Sequence, residues 1–183
     1  MYKRQVFDGG SAPSALAAGG DVFVLDGFSK RYAMTGFRLG FAIAPPAALR
    51  PLQVMQQNLF ISSNHFVQRA GVAALAHGEA TRRAMLEADA RRRMRLVAGL
   101  RALGFEIPVL PAGAFYVFAD ARAFTRDSRA FAFDLLERAH VAATPGVDFG
   151  AAGEGFLRFS LSAPDAEIDE ALERLAKALP ARA

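Results

Sequence analysis

The stretch that decides the fold is Phe28-Ser29-Lys30-Arg31-Tyr32-Ala33-Met34-Thr35-Gly36-Phe37-Arg38-Leu39-Gly40. Before it, Val22-Phe23-Val24-Leu25 reads as a short buried strand bounded by Asp26-Gly27, and after it a second strand is predicted from Arg38 to Ala44, closed by Pro45-Pro46. A residue just past a strand lies where open α/β sheets form a ligand crevice. The lysine placed there is scarce. Of the 22 basic residues in 183, three are lysine (Lys3, Lys30, Lys177) and 19 are arginine. Arginine serves wherever a positive charge suffices, whereas only lysine can give up its proton and act as an amine nucleophile. Chance under a composition rich in Arg and Ala is the plain alternative for Lys30.

Composition bounds the rest. Hydrophobic types make up 52% and charged types 22%, which suits a packed core in one substantial domain or two small ones. There is no cysteine, so disulfides, thiolate metal sites and a cysteine nucleophile are excluded. His65, His77 and His140 share no ligand spacing, and no metal site is expected. No apolar run reaches the length of a membrane span, and Met1-Tyr2-Lys3-Arg4 is not followed by the apolar stretch of a signal peptide. The expectation is a cytoplasmic protein with no membrane partner. The net charge of +4 includes the run Arg91-Arg92-Arg93 with Arg95. Glu87 and Asp89 interleave with it and no aromatic platform accompanies it, so a solvated helix face is expected rather than a nucleic-acid patch.

Along the chain, Asp8 to Asp21 is rich in Gly, Ala, Ser and Pro and reads as loop. Helices are predicted from about Ala47 to Gln57, and from a cap in Ser62-Ser63-Asn64 to His77-Gly78. The longest is predicted from Glu79 to about Leu103, with Leu86, Ala90, Met94, Val97 and Leu100 as its apolar stripe and the arginines mostly off it. Then follow a strand (Ala114 to Ala119), a helix (Ser128 to Ala139), a short strand near Val141, a strand (Phe156 to Ser162) and a closing helix. Ser162 and Asp165 suggest a capping box for that helix, and Ile168, Leu172, Leu175 and Leu179 its buried stripe. On the strand, Phe156, Arg158 and Ser160 share one face and Leu157, Phe159 and Leu161 the other, so Arg158 can look into a cleft while its neighbours pack. A plain surface charge is the alternative for Arg158. The chain divides into residues 1–77 and 78–183.

Several familiar patterns fail. There is no G-x-x-x-x-G-K-[ST], no G-x-S-x-G, and no S-x-x-K ending at Lys30; Gly150, Gly153 and Gly155 are wrongly spaced for a dinucleotide fingerprint. What remains is a lysine amine that can form a Schiff base and a guanidinium whose fork can grip a phosphate, two parts that a pyridoxal phosphate site requires. The run resembles the S-x-S-K-x-x-x-M-T-G-W-R-x-G segment of the fold-type I, class I/II aminotransferases dependent on pyridoxal 5'-phosphate. Three further stretches agree in order: Pro111-Ala112-Gly113-Ala114-Phe115-Tyr116 with P-x-G-[AT]-F-Y, Val141 to Gly150 with V-x-x-x-P-G-x-x-F-G, and Leu157-Arg158-Phe159-Ser160 with the R-[LIF]-S strand.

The resemblance implies an α/β fold: residues 1–77 as the C-terminal portion of the large cofactor-binding domain, then 78–183 as a small α+β C-terminal domain. It implies amino-group transfer from an amino acid to a 2-oxo acid. Lys30 becomes the Schiff-base lysine and the base that moves the substrate's α-proton. Arg38 binds the cofactor phosphate with help from Ser29, Tyr2 bonds the ring oxygen, and Arg158 holds the substrate carboxylate. It also implies a homodimer for the full-length protein. Two positions depart from the pattern. Gly27 stands where the family has Ser or Thr, which removes one hydroxyl from the phosphate, and Phe37 replaces a tryptophan while keeping an aromatic side chain to pack. The family's Asp-Glu-[VI]-Tyr motif matches only at Tyr2, its aspartate falling ahead of Met1. The expectation is therefore a fragment, the C-terminal half, with little or no activity alone. The alternative is a non-catalytic product of a truncated or split gene that pairs with an N-terminal half.

Overall fold

The computed structural model describes residues 6–7 and 12–180, and the chain forms two compact units, Met1–Leu86 and Glu87–Ala183. The division falls inside the longest helix, whose first turns belong to the first unit.

In the first unit, β1 (Val24–Gly27) pairs antiparallel with β2 (Gly40–Ile43), Val24 opposite Ile43 and Gly27 opposite Gly40. Neither strand is buried, contrary to the expectation from Val22-Phe23-Val24-Leu25: Leu25 is 71% exposed and all of β2 is exposed. Apolar residues bury only where a second layer covers them, and two strands alone supply none. Between the strands lie a one-turn helix, α1 (Phe28–Arg31), and a 3-10 turn (Thr35–Phe37). The helix α2 (Pro46–Leu59) starts on Pro46, where a missing N–H costs nothing, and buries no residue. Asn64 caps α3 (His65–His77), accepting a hydrogen bond from the Phe66 N–H, as the sequence predicts. Phe28, Met34, Val67 and Gly71 are buried, and at Gly71 the helix lies close against Leu39 and Phe28.

The second unit carries a three-stranded antiparallel sheet in the order β3 (Tyr116–Asp120), β5 (Phe156–Ser160), β4 (Thr144–Pro145). The short strand predicted near Val141 forms at Thr144–Pro145 instead, because that pair bonds to β5 while Val141 is buried against the core. The helices are α4 (Glu79–Leu103), α5 (Ser128–Ala139) and α6 (Asp165–Ala178). One sheet face is core: Val117, Ala119 and Leu157 are 0% exposed and Phe159 is 4% exposed. Leu100, Leu135 and Leu175, from the three helices, complete it.

The α4 stripe needs correcting. Met94 is exposed, and the buried positions are Arg93, Leu96, Val97 and Leu100. Arg93 reaches its place because its guanidinium donates to the Pro111 carbonyl (2.8 Å), so the aliphatic stem packs while one end of the guanidinium is hydrogen-bonded. The other arginines of the run are largely neutralised by α6: Arg92 pairs with Asp165 (2.6 Å) and Arg95 with Asp169 (2.7 Å). The predicted capping box does not form, because the helix begins at Asp165 with Pro164 at its N-cap and leaves Ser162 outside the capping position. Asp165 serves Arg92, no side chain caps α6, and Ser162 accepts from and donates to nothing in the helix but bonds the Ser160 hydroxyl. Arg92 holds the Asp165 carboxyl below its ordinary value.

Candidate functional site

Local sequence builds a closed loop around the scarce lysine. The Phe28 N–H donates to the Leu39 carbonyl (3.1 Å), so the segment carrying Ser29, Lys30 and Arg38 starts and finishes at one point. Phe28 anchors it from inside, stacked on Tyr32 at 5.5 Å and edge-on to Phe41 at 6.0 Å. Met34 is its second buried anchor. Lys30 is thereby left exposed on α1 and Ser29 half-buried beside it. Arg38 takes the left-handed backbone conformation (φ 53°), turning the chain into β2; its guanidinium is exposed and gives one hydrogen bond to the Thr35 carbonyl (3.1 Å). Phe37 is 41% exposed.

Gly27 has a structural reason. It is the residue before α1, and a Cβ there would lie 3.0 Å from the Leu39 carbonyl oxygen. Two backbones pass within that gap, which a serine fills only if the carbonyl yields by a few tenths of an ångström. Tyr2 lies outside the described residues.

In the second unit, Arg158 occupies the middle of the uncovered sheet face, opposite Phe118 on β3 and Thr144 on β4. The alternation predicted for its strand is observed, with Leu157 and Phe159 buried on the other side. Its guanidinium donates to the Thr144 hydroxyl (3.1 Å) and lies over the rings of Tyr116 (4.1 Å) and Phe149 (4.8 Å). Among the described residues, no carboxylate lies within ion-pair distance of it. It is a half-buried cation whose partners are neutral, with N–H donors left over for an incoming anion.

The loop that brings Phe149 to Arg158 is pinned from below. Glu154 accepts from the Ser128 N–H (2.6 Å) and the Gly155 N–H (2.8 Å), and these bonds hold its carboxyl below the ordinary value of 4.5. A Cβ on Gly146 would meet the Gly153 carbonyl oxygen at 1.9 Å, so only glycine lets the loop fold on itself. Thr144, Tyr116 and Phe149 were not singled out by sequence reasoning as partners of Arg158. Each lies inside one of the recognised motifs, which is the signal that could have found them. Among the described residues no cluster of His, Asp or Glu could hold a metal ion, and no helix is long and apolar enough to cross a membrane.

Comparison with known proteins agrees with these motifs. The family model described as aminotransferase class I and II matches residues 1–175. The chain is 38% identical over 186 residues to the valine–pyruvate aminotransferase of Mycobacterium tuberculosis, matching all of this chain and 48% of that protein. It is 35% identical over 179 residues to an LL-diaminopimelate aminotransferase of Dehalococcoides mccartyi, matching 96% of this chain and 45% of that one. A crystal structure of an aminotransferase from Mycobacterium tuberculosis superposes with a TM-score of 0.89 at 37% identity, over 98% of this chain and 47% of that chain. The chain spans about half the length of the curated relatives it matches. It belongs to the class I and II aminotransferases, a family of enzymes that depend on pyridoxal phosphate.

Proposed function

We propose that this chain carries the cofactor-anchoring and substrate-anchoring residues of an enzyme that moves an amino group from an amino acid to a 2-oxo acid. The observation that carries the reading is the closed loop from Phe28 to Leu39, which exposes one primary amine and one guanidinium. Both fit the cofactor's chemistry: an amine for its aldehyde, and a forked cation for its phosphate. When bound, pyridoxal phosphate supplies an aldehyde that takes up amino groups and a conjugated ring that withdraws electrons from the substrate's α-carbon.

The chain's residues then divide the work. Lys30 would hold the cofactor through its amine, and the same amine, when free, would take the proton from the substrate's α-carbon. Arg38 and Ser29 hold the phosphate, Gly27 contributing no hydroxyl. Tyr2 bonds the ring oxygen. Arg158 holds the substrate's carboxylate at its edge, oriented by Thr144 and by the two rings. Residues 1–77 form part of the large cofactor-binding domain and 78–183 the small C-terminal one, and the full-length protein works as a homodimer.

The test is chemical. The chain is incubated with pyridoxal phosphate, reduced with borohydride and digested, and the added mass is mapped. With three lysines to choose from, the label is expected on the peptide containing Lys30 and is expected to vanish in Lys30→Arg. Equal labelling of Lys3, Lys30 and Lys177 overturns the assignment.

A second reading is that the chain acts only with a separate N-terminal half. The exposed strands β1 and β2, with Leu59 73% and Ile61 79% exposed, favour it. Co-expression with such a half is expected to bring transamination that neither piece shows alone; activity of this chain by itself removes that reading.

A further inference from the structure

The uncovered sheet face of the second unit carries more than a carboxylate anchor. We propose that it selects a substrate with one carboxylate and an aromatic or large apolar side chain, and that Phe118 is its specificity-determining residue; this rests on Arg158 being the carboxylate anchor.

Rings line the face around the cation. Phe118 lies directly across from Arg158 in the register of β3 and β5. It stacks flat on Phe156 at 4.9 Å (interplanar angle 7°) and meets Phe149 edge-on at 5.9 Å. Phe149 remains 52% exposed and Phe118 36% exposed, although each sits in a cluster of aromatic neighbours. These are apolar surfaces packed ring against ring and partly exposed, with a cation beside them. A small molecule that bonds Arg158 through a carboxylate brings its own apolar group against these rings, where ring contact and loss of water both favour it.

The charges nearby argue against a second carboxylate. Arg122 lies over the Phe156 ring (5.3 Å), but its guanidinium is gripped by both oxygens of Asp120. Arg129 is paired with Asp148 (2.7 Å), the residue next to Phe149. Among the described residues of this face, Arg158 is the cation that no carboxylate neutralises. A dicarboxylate gains one ion pair here and desolvates its other charge against phenyl rings, which is unfavourable.

The experiment follows the Arg158 Nε–H resonance in the isotopically labelled 183-residue chain during titration with propionate, succinate and 3-phenylpropionate. The expected result is that 3-phenylpropionate binds about tenfold tighter than propionate, as one good ring contact allows, with succinate no tighter than propionate. In Phe118→Ser the ratio of the 3-phenylpropionate and propionate affinities is expected to fall to near parity, a readout from which any loss common to both ligands cancels. If the amide spectrum shows that variant unfolded, Phe118→Leu replaces it and is expected to lower the preference by a smaller factor. Succinate binding as tightly as 3-phenylpropionate overturns the selection, as does a preference that is undiminished in the Phe118 variant. In both cases the carboxylate role of Arg158 stands. Absence of a response to all three carboxylates overturns the anchor role, and the selection falls with it.

Discussion

The two units treat an apolar-rich sequence in opposite ways. Past Glu87, a central strand is bonded on both sides, helices cover one face, and leucines from separate elements reach 0% exposure. Before it, two strands and two amphipathic-length helices leave Leu25, Leu59, Ile61, Phe66 and Leu75 more than half exposed. Local signals write helices and hairpins in both. Burial needs a second layer, and among the described residues only the second unit contains two complete ones.

Substitutions measure that contrast directly. Leu157→Ala, in the central strand, is expected to lower unfolding stability by about 3 kcal/mol, the usual result of emptying a closed core site. Urea melts followed by circular dichroism report it, and an effect as small as that of a surface change breaks the contrast. Gly146→Ala is expected to cost about 2 kcal/mol by overpacking the folded loop, and to weaken carboxylate binding at Arg158 because Phe149 shifts. A loss of stability with binding intact separates the loop from the site.

Acid gives a smaller effect on the same unit. Glu154 and Asp165 both have folded values lowered from ordinary ones of 4.5 and 3.8. Their contribution is present in full above those ordinary values and drains away as the pH falls through the lower folded ones. The thermal midpoint of the second unit is therefore expected to be insensitive to these groups from pH 7 to about pH 5, and to drop below about pH 4. Glu154→Gln should flatten part of that drop; an unchanged acid limb means the carboxylate does not hold the loop. The smallest change is expected at Leu59→Ala, within about 0.5 kcal/mol. A cost near that of Leu157→Ala shows that the first unit closes a core of its own.

Much of this was legible in the chain. The bounds of α4 and α5 and the Asn64 cap follow from capping and breaker residues, which act within a few positions. The site residues Lys30, Arg38 and Arg158 stand in motifs of recognisable order. What escaped depends on distant partners. Arg93 is buried because Pro111 offers a carbonyl, and periodicity alone gave that place to Met94. Ser162 does not cap α6, since the helix begins behind Pro164, and its Asp165 turns to Arg92 on another helix. The surroundings of Arg158 come from β3, β4 and the loop after it, and only the folded sheet joins them.

The ribbon of β1 and β2 has a practical consequence. Among the described residues both strands are edges, and Leu25, Phe41 and Ile43 dress them with apolar side chains. Such an edge is a template on which another molecule's strand can add. Handled at high concentration without anything laid along that ribbon, this polypeptide should self-associate through it, and a lysine or proline introduced at Leu25 should delay the onset of turbidity.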